Sequence, residues 1–368
     1  MRPPGRRAPP IQLLIYLAVA VIAVAAALYA IEVMRSRGIQ AGFGFLKNTA
    51  GFEIGFKLIP FDSTNSYGRA FVVALLNTLL VSGLSILLGT SIGLLVAVAR
   101  LAPIPAIKAA GTMYVEAIRN TPLLFQLLAA YAFSLAVLPP PRDSIAVAAV
   151  ALVNNRGIFL PSAGMTPRAA LAAIALLLVL AGSWWLCRRV PMRRPARALV
   201  VIVAVVLGAT ALGLMDWVVP QVHGFNVEGG IALVPELAVL VVALSVYSAA
   251  FIAETFRSGF LAVPPGQWHA AFALGLDRAA AIRGVVLPQA LRACVPALAS
   301  QYINVIKASS LAAAVGFPDL MQVFGKTTLN QTGQAVEVIV LTMAVYLFMS
   351  MAIAGAVHGY ERRVARER

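Results

Sequence analysis

Three stretches of this 368-residue chain hold residues that could do chemistry. Lys307, followed by Ser309 and Ser310, interrupts a long apolar run. A lysine there costs about 2.5 to 3.5 kcal/mol at mid-bilayer, so something must compensate it. Three compensations are open: a substrate carboxylate in a water-filled cavity, a structural partner such as Glu116 or Glu254, or snorkelling to the outer interface. The serines could add hydroxyl hydrogen bonds to a ligand or bond their own backbone. Arg119, Asn120, Thr121 and Pro122 form the second stretch. Pro122 removes a backbone donor, so a helix restarts there with Asn120 or Thr121 as its cap. A restarted helix aims its positive end at what precedes it, an arrangement that can hold an anionic group, with Arg119 reinforcing it. The plainer alternative is a surface pair of Glu116 with Arg119 and an ordinary helix start.

The third stretch runs Val263, Pro264, Pro265, Gly266, Gln267, Trp268, His269, Ala270, Ala271, Phe272, Ala273, Leu274, Gly275, Leu276, Asp277. Prolines open it and a glycine closes it, so Gln267 to Leu274 reads as a two-turn helix of roughly 12 Å, too short to span a bilayer. Its alanines admit a close neighbour, and Trp268 and Phe272, four apart, share a face. The shape is that of a docking knob, with an amphipathic loop helix at the headgroups as the alternative. Asp277 offers the cap of a following helix.

The elements that must position these groups are membrane helices. The chain is 61% hydrophobic and 12% charged, with a mean hydropathy of +0.88. Such a surface cannot be made water-soluble. Eight largely uncharged runs approach the roughly 20 residues a helix needs to cross lipid: Ile11 to Ile31, Ala70 to Ala99, Thr121 to Leu138, Ala169 to Cys187, Ala198 to Met215, Leu237 to Ala253, Ala293 to Pro318 and Val338 to Val357. None alternates as a membrane barrel strand would. The first run, 21 residues behind Arg2, Arg6 and Arg7, exceeds a signal-peptide core of about 7 to 15 and reads as a retained anchor.

Most of the 29 lysines and arginines fall on one side if the N-terminus is inside: the first arginines, then Arg100, Lys108 and Arg119, then Arg188 to Arg197, Arg257 to Arg292, and Arg362 to Arg368. The positive-inside rule then puts both termini in the cytoplasm. The segments Met34 to Arg69 and Pro139 to Arg168 become external loops, neither resembling a separate domain. A net charge of +15 does not imply nucleic acid, because the basic residues form short clusters between apolar runs. Cys187 and Cys294 read as packing residues, Gly89 and Gly93 as a close-packing face, and His223 and His358 as polar boundary residues without a metal-ligand set. No Gly-x-x-x-x-Gly-Lys-Ser/Thr loop is present to cradle ATP.

The series Ala270, Ala271, three residues, Gly275, nine residues, Val285, one residue, Leu287, Pro288 resembles the Glu-Ala-Ala loop of ATP-binding-cassette (ABC) importer permeases, with His269 at the usual Glu. Asn77-Thr78-Leu79, Tyr114-Val115-Glu116, Arg119 through Leu124, Ala253 through Arg257 and Lys307 through Leu311 resemble signatures of the polar amino-acid (His/Glu/Gln/Arg) branch. The extra helices resemble its larger eight-helix members for general L-amino acids or for glutamate, glutamine, aspartate and asparagine.

The resemblance implies an all-α polytopic membrane protein of about eight transmembrane helices, with a type I ABC importer (MetI-like) core. Its parts would be residues 1–66, an N-terminal helix and external loop; 67–140 and 233–368, the core; 141–232, an inserted helix pair; and 263–288, the coupling loop. It implies a non-enzymatic subunit of the bacterial inner membrane with no catalytic residue, metal or cofactor of its own. Partners would be a homologous permease, two ATPase subunits holding ATP and Mg, and a periplasmic amino-acid-binding protein. Gln267, Trp268, His269, Ala270, Ala271, Leu274 and Gly275 would couple to the ATPase; Lys307, Ser309, Ser310, Arg119, Asn120, Thr121 and Asn77 would line the substrate path. A gradient-driven transporter would instead want paired mid-span acids and inverted halves, and a signalling anchor would need no Lys307.

Overall fold

The computed structural model describes residues 10–36, 42–148, 150–164, 166–189, 194–224 and 226–366. The arginines at 2, 6, 7, 193 and 368 used for orientation lie outside these residues. The helices are α1 (Pro10–Ser36), α2 (Tyr67–Leu101), α3 (Pro105–Arg119), α4 (Leu123–Val137), α5 (Pro167–Arg189), α6 (Arg194–Gly213), α7 (Pro235–Leu261), α8 (Pro265–Ala273), α9 (Arg278–Ala281), α10 (Leu287–Ala308), α11 (Ala312–Val315), α12 (Leu329–Thr332) and α13 (Ala335–Arg366). Among the described residues four stretches are long and apolar enough to cross a membrane: Tyr67–Leu101, Pro235–Leu261, Arg278–Val315 and Ala335–Arg362. The pair α3 and α4, bent by 100° at its break, makes a fifth only if taken together, and α1, α5 and α6 contain shorter apolar segments. Each of the eight apolar runs overlaps one of these segments, but among the described residues only four of the runs fall on single helices long and apolar enough to span, and α3 lies outside all of them.

Contacts divide the chain into two units, Met1–Leu128 with Leu240–Arg368, and Ala129–Val239. In the first, α2 and α7 meet along a seam of small residues. A Cβ on Gly89 would enter the Ser248 hydroxyl, and one on Gly93 would lie 2.8 Å from Ile252 Cγ2 and 3.0 Å from the Ala249 carbonyl. The two glycines therefore let the helix backbones approach, as their spacing predicts. Asn77 is fully buried on α2, and its amide donates to the carbonyls of Phe56 and Pro318, both at 2.9 Å. The segment after residue 42 is more than a loop: Phe45, Ile54 and Phe61 are buried in one cluster with Ala70, Val73, Leu320, Phe324 and Val338. Cys294 on α10 is buried, and it is Gly259 of α7 that makes room for it.

Lys307 and the serines end the long stretch differently from a plain span. α10 contains Pro296, then a 3-10 turn Ser309–Leu311 and α11 follow, and Gly316 at φ 79 stops the helix. The expected run to Pro318 is thus cut short by the left-handed residue at the helix end.

In the second unit, α5 packs against α6. The segments read as external loops around them contain strands: β1 (Ile145–Val147), β2 (Ala151–Asn154), β3 (Gly157–Leu160), β4 (Ser162–Ala163), β5 (Trp217–Val218), β6 (Gln221–His223), β7 (Asn226–Glu228) and β8 (Ile231–Leu233). All pairings are antiparallel, in a four-stranded sheet β1-β2-β3-β8 and two hairpin-sized pairs. Asn154 pairs with Gly157 across a two-residue turn. Runs of three or four apolar residues are too short to register as spans but long enough to pair.

Candidate functional site

α8 is built as its sequence predicts. Pro265 occupies its first turn and Leu274 its C-terminal cap. Gly275 has φ 75, its amide donates to the Phe272 carbonyl at 2.9 Å, and the Leu276 amide donates to Ala271 at 3.1 Å. This is a Schellman ending, in which the residue after the cap must be left-handed, so the glycine has a backbone reason to be there. One face of α8 is held to its own chain. Ala271 is buried, and Trp268 packs edge-on against Phe260 at 5.9 Å, beside the cluster of Val263, Val286 and Ala290. The Gln289 amide of α10 donates to Gln267 Oε1 at 3.1 Å, tying α8 to that helix. The other face is open: His269 and Ala270 are exposed, Phe272 is 47% exposed and Leu274 81%. Asp277 caps α9, its carboxylate accepting from the Ala280 amide at 2.7 Å, as expected.

The break after Arg119 also forms, with different partners from those expected. Thr121, one of the two cap candidates, turns its hydroxyl the other way: its Oγ1 donates back to the Ala117 carbonyl at 2.9 Å. Gln126 does the bridging: its amide donates to the Ile118 and Thr121 carbonyls, at 2.9 and 3.0 Å. The Ile118 carbonyl, which loses its helical donor at Pro122, and the Thr121 carbonyl at the turn thereby both have a partner. Arg119 makes no ion pair with Glu116 among the described residues, and its guanidinium lies 5.2 Å from the ring centroid of Phe251 on α7. A cation over an aromatic face is stabilised without a carboxylate.

Lys307 is exposed on its own chain and forms no ion pair among the described residues. Glu254 is not its partner, since that carboxylate is taken by Arg100 of α2 and by Arg257, whose Nη2 stands at 2.6 Å. Glu254 thus braces α7 against α2. The hydroxyls of Ser309 and Ser310 each donate at 2.7 Å to backbone carbonyls, of Ile306 and Lys307.

A cavity of about 250 Å³ lies between the start of α4, α7 and α10, with Leu123, Tyr247, Ser248, Phe251, Gln301, Asn304 and Ala308 among its lining residues. It brings the break and the end of α10 together: Phe251 is shared with Arg119, and Ala308 adjoins Lys307. Asn77 is not in this lining. Ser300, Asn304 and Lys307, spaced by four and three, put a polar strip on the exposed face of α10, with Gln301 beside it. In the sequence Lys307 stands out by its charge, whereas Ser300, Gln301 and Asn304 show only through the helical spacing of uncharged polar residues.

Comparison with known proteins identifies the family. The family described as "Binding-protein-dependent transport system inner membrane component" matches residues 198–366, which include α8 and α10. The putative amino-acid ABC transporter permease protein YhdX of Escherichia coli (strain K12) is 42% identical over 90% of this chain and 87% of its own length. The general L-amino acid transport system permease protein AapQ of Rhizobium johnstonii is 39% identical over 91% and 86%. The glutamate/glutamine/aspartate/asparagine transport system permease protein BztB of Rhodobacter capsulatus is 34% identical over 90% and 87%. A crystal structure of an amino acid ABC transporter with histidines superposes with a TM-score of 0.49 at 24% identity, covering 81% of this chain and 95% of that one. With such identity sustained over nearly its whole length, the chain belongs to the amino-acid ABC transporter permeases, the membrane-embedded subunits of binding-protein-dependent importers.

Proposed function

We propose that this subunit forms one wall of the path for polar L-amino acids, pairs with a homologous permease, and is coupled through α8 to two ATPase subunits. The polar strip Ser300, Asn304 and Lys307 carries this reading. Polar side chains exposed on a membrane helix are costly against hydrocarbon, so they favour a water-filled path closed by a second permease. As in other permeases of this family, ATP hydrolysis lies in separate subunits; ATP and Mg belong there, and the chain is not an enzyme. A binding protein delivers substrate from outside.

The cavity between α4, α7 and α10 is lined by two amides, the hydroxyls of Tyr247 and Ser248, the Phe251 ring and four aliphatic side chains, with Arg119 alongside, and includes no carboxylate in its lining. That chemistry suits glutamate, glutamine, aspartate and asparagine within a broader L-amino-acid range, as the names of AapQ and BztB suggest. The arginine clusters favour both termini on the cytoplasmic side of the bacterial inner membrane. Movement of the ATPases against α8 would pass to α10 through the Gln267–Gln289 bond and rock the path between its two openings.

The test is ATP-dependent uptake in proteoliposomes holding this chain, its partner permease, the ATPases and the binding protein. Lys307→Met should lower glutamate uptake more than glutamine uptake, while equal uptake with and without ATPase would overturn the reading. Cysteines introduced at Gly224 and Arg194 should label from outside and inside, respectively; the reverse would invert the topology.

A further inference from the structure

Beside α8 lies a groove of about 610 Å³ with apolar walls that include Phe260, Leu261, Trp268 and Phe272, and with His269 and Arg278 on its polar edge. Four residues between 258 and 292 carry a formal charge: Asp277, Arg278, Arg283 and Arg292. The carboxylate is engaged as the α9 cap, and all three arginines are exposed. At the position where the resembling loops carry Glu, this chain carries His269, which can be neutral or positive but never negative. The surface around the knob is therefore cationic, with an apolar cleft at its side.

Resting on the docking role proposed for α8, we infer that the ATPase surface received here is acidic, and that it inserts an apolar side chain flanked by a carboxylate into the groove between α8 and the end of α7. The apolar side chain covers Phe260, Leu261 and Phe272, and the carboxylate meets His269 and Arg278. Complementary charge of this kind fixes register and speeds encounter, while the apolar insertion holds the complex. Docking is thus reciprocal: α8 enters the ATPase, and the ATPase enters the cleft beside α8.

The test uses the full chain co-purified with ATPase subunits that support uptake. The double variant His269→Glu, Arg278→Glu changes two exposed edge side chains, and monodispersity of the purified protein checks its folding. It should lower ATPase retention by about tenfold or more, and raising salt from about 0.05 to about 0.5 M should weaken retention of the unaltered chain. Reversal of a facing ATPase carboxylate to arginine should restore the double variant. Ala270→Trp, on the exposed face of α8, separates the two ideas. If it abolishes retention while the double variant retains ATPase normally at every salt concentration, the acidic-partner inference fails and the docking role stands. If neither variant changes retention, both fail. Should the double variant lose only its binding to vesicles containing anionic lipid, the cationic surface serves the bilayer and the inference is overturned.

Discussion

The helix pair α2 and α7 and the helix pair α5 and α6 are both apolar, yet they use their residues in opposite ways. Along α2 and α7, Val73, Val81, Leu240, Leu244 and Ile252 are almost fully buried, and glycines and serines at the seam bring the backbones together. On α5 and α6 the large residues point outward: Leu171, Leu177, Leu178, Leu199 and Val205 are all more than 60% exposed. Lipid tails are as apolar as leucine, so burial of large side chains gives little drive for helices to associate in a membrane; close approach and polar contacts do that work. The small residues, rather than the large ones, mark where the backbones of α2 and α7 come close.

The strongest way to break this comparison is to fill the seam. Gly93→Leu would drive side-chain atoms into Ile252 and the Ala249 carbonyl and should cost about 3 kcal/mol or more, seen as loss of monodisperse protein and a lower Tm in detergent. Asn77→Leu strands the Phe56 and Pro318 carbonyls and should cost about 1 to 3 kcal/mol by the same melting assay. Trp268→Ala removes a half-buried ring from the Phe260 contact and should cost about 1 to 2 kcal/mol at most, because α8 is small and peripheral, while markedly reducing ATP-dependent uptake. A Cβ added at Gly182 on α5 meets no atom within 4 Å, and Gly182→Leu should change Tm by an amount equivalent to no more than about 0.5 kcal/mol. If Gly182→Leu proved as damaging as Gly93→Leu, the distinction between the pairs would be lost.

What the sequence reveals follows the same division between local and distant causes. α8, its glycine ending and the Asp277 cap are legible because proline, glycine and aspartate act on backbone within a turn of themselves. The break at Pro122 is legible for that reason, and so is the Gly89–Gly93 face. The partner of Arg119 is not, since Phe251 is 132 positions away and a cation over a ring leaves no local pattern. The sheet in the second unit also escapes, because β3 finds β8 only after two intervening helices have turned the chain back. Of the groups proposed for the path, the break and Lys307 flank the cavity, whereas Asn77 has both of its amide protons engaged in holding Phe56 and Pro318.

Pro296 gives α10 a further property. Lacking an amide hydrogen, it leaves the Arg292 carbonyl without its usual helical partner inside a helix that runs on unbroken, so this is where α10 bends at least cost. The portion beyond it, Ala297 to Ala308, is about 18 Å long, so a swing of about 20° would carry its tip roughly 6 Å. The stub before Pro296 carries Gln289, and the length beyond it carries Asn304 and Lys307. A modest tug on the stub could thus be converted into a stroke as wide as an amino acid.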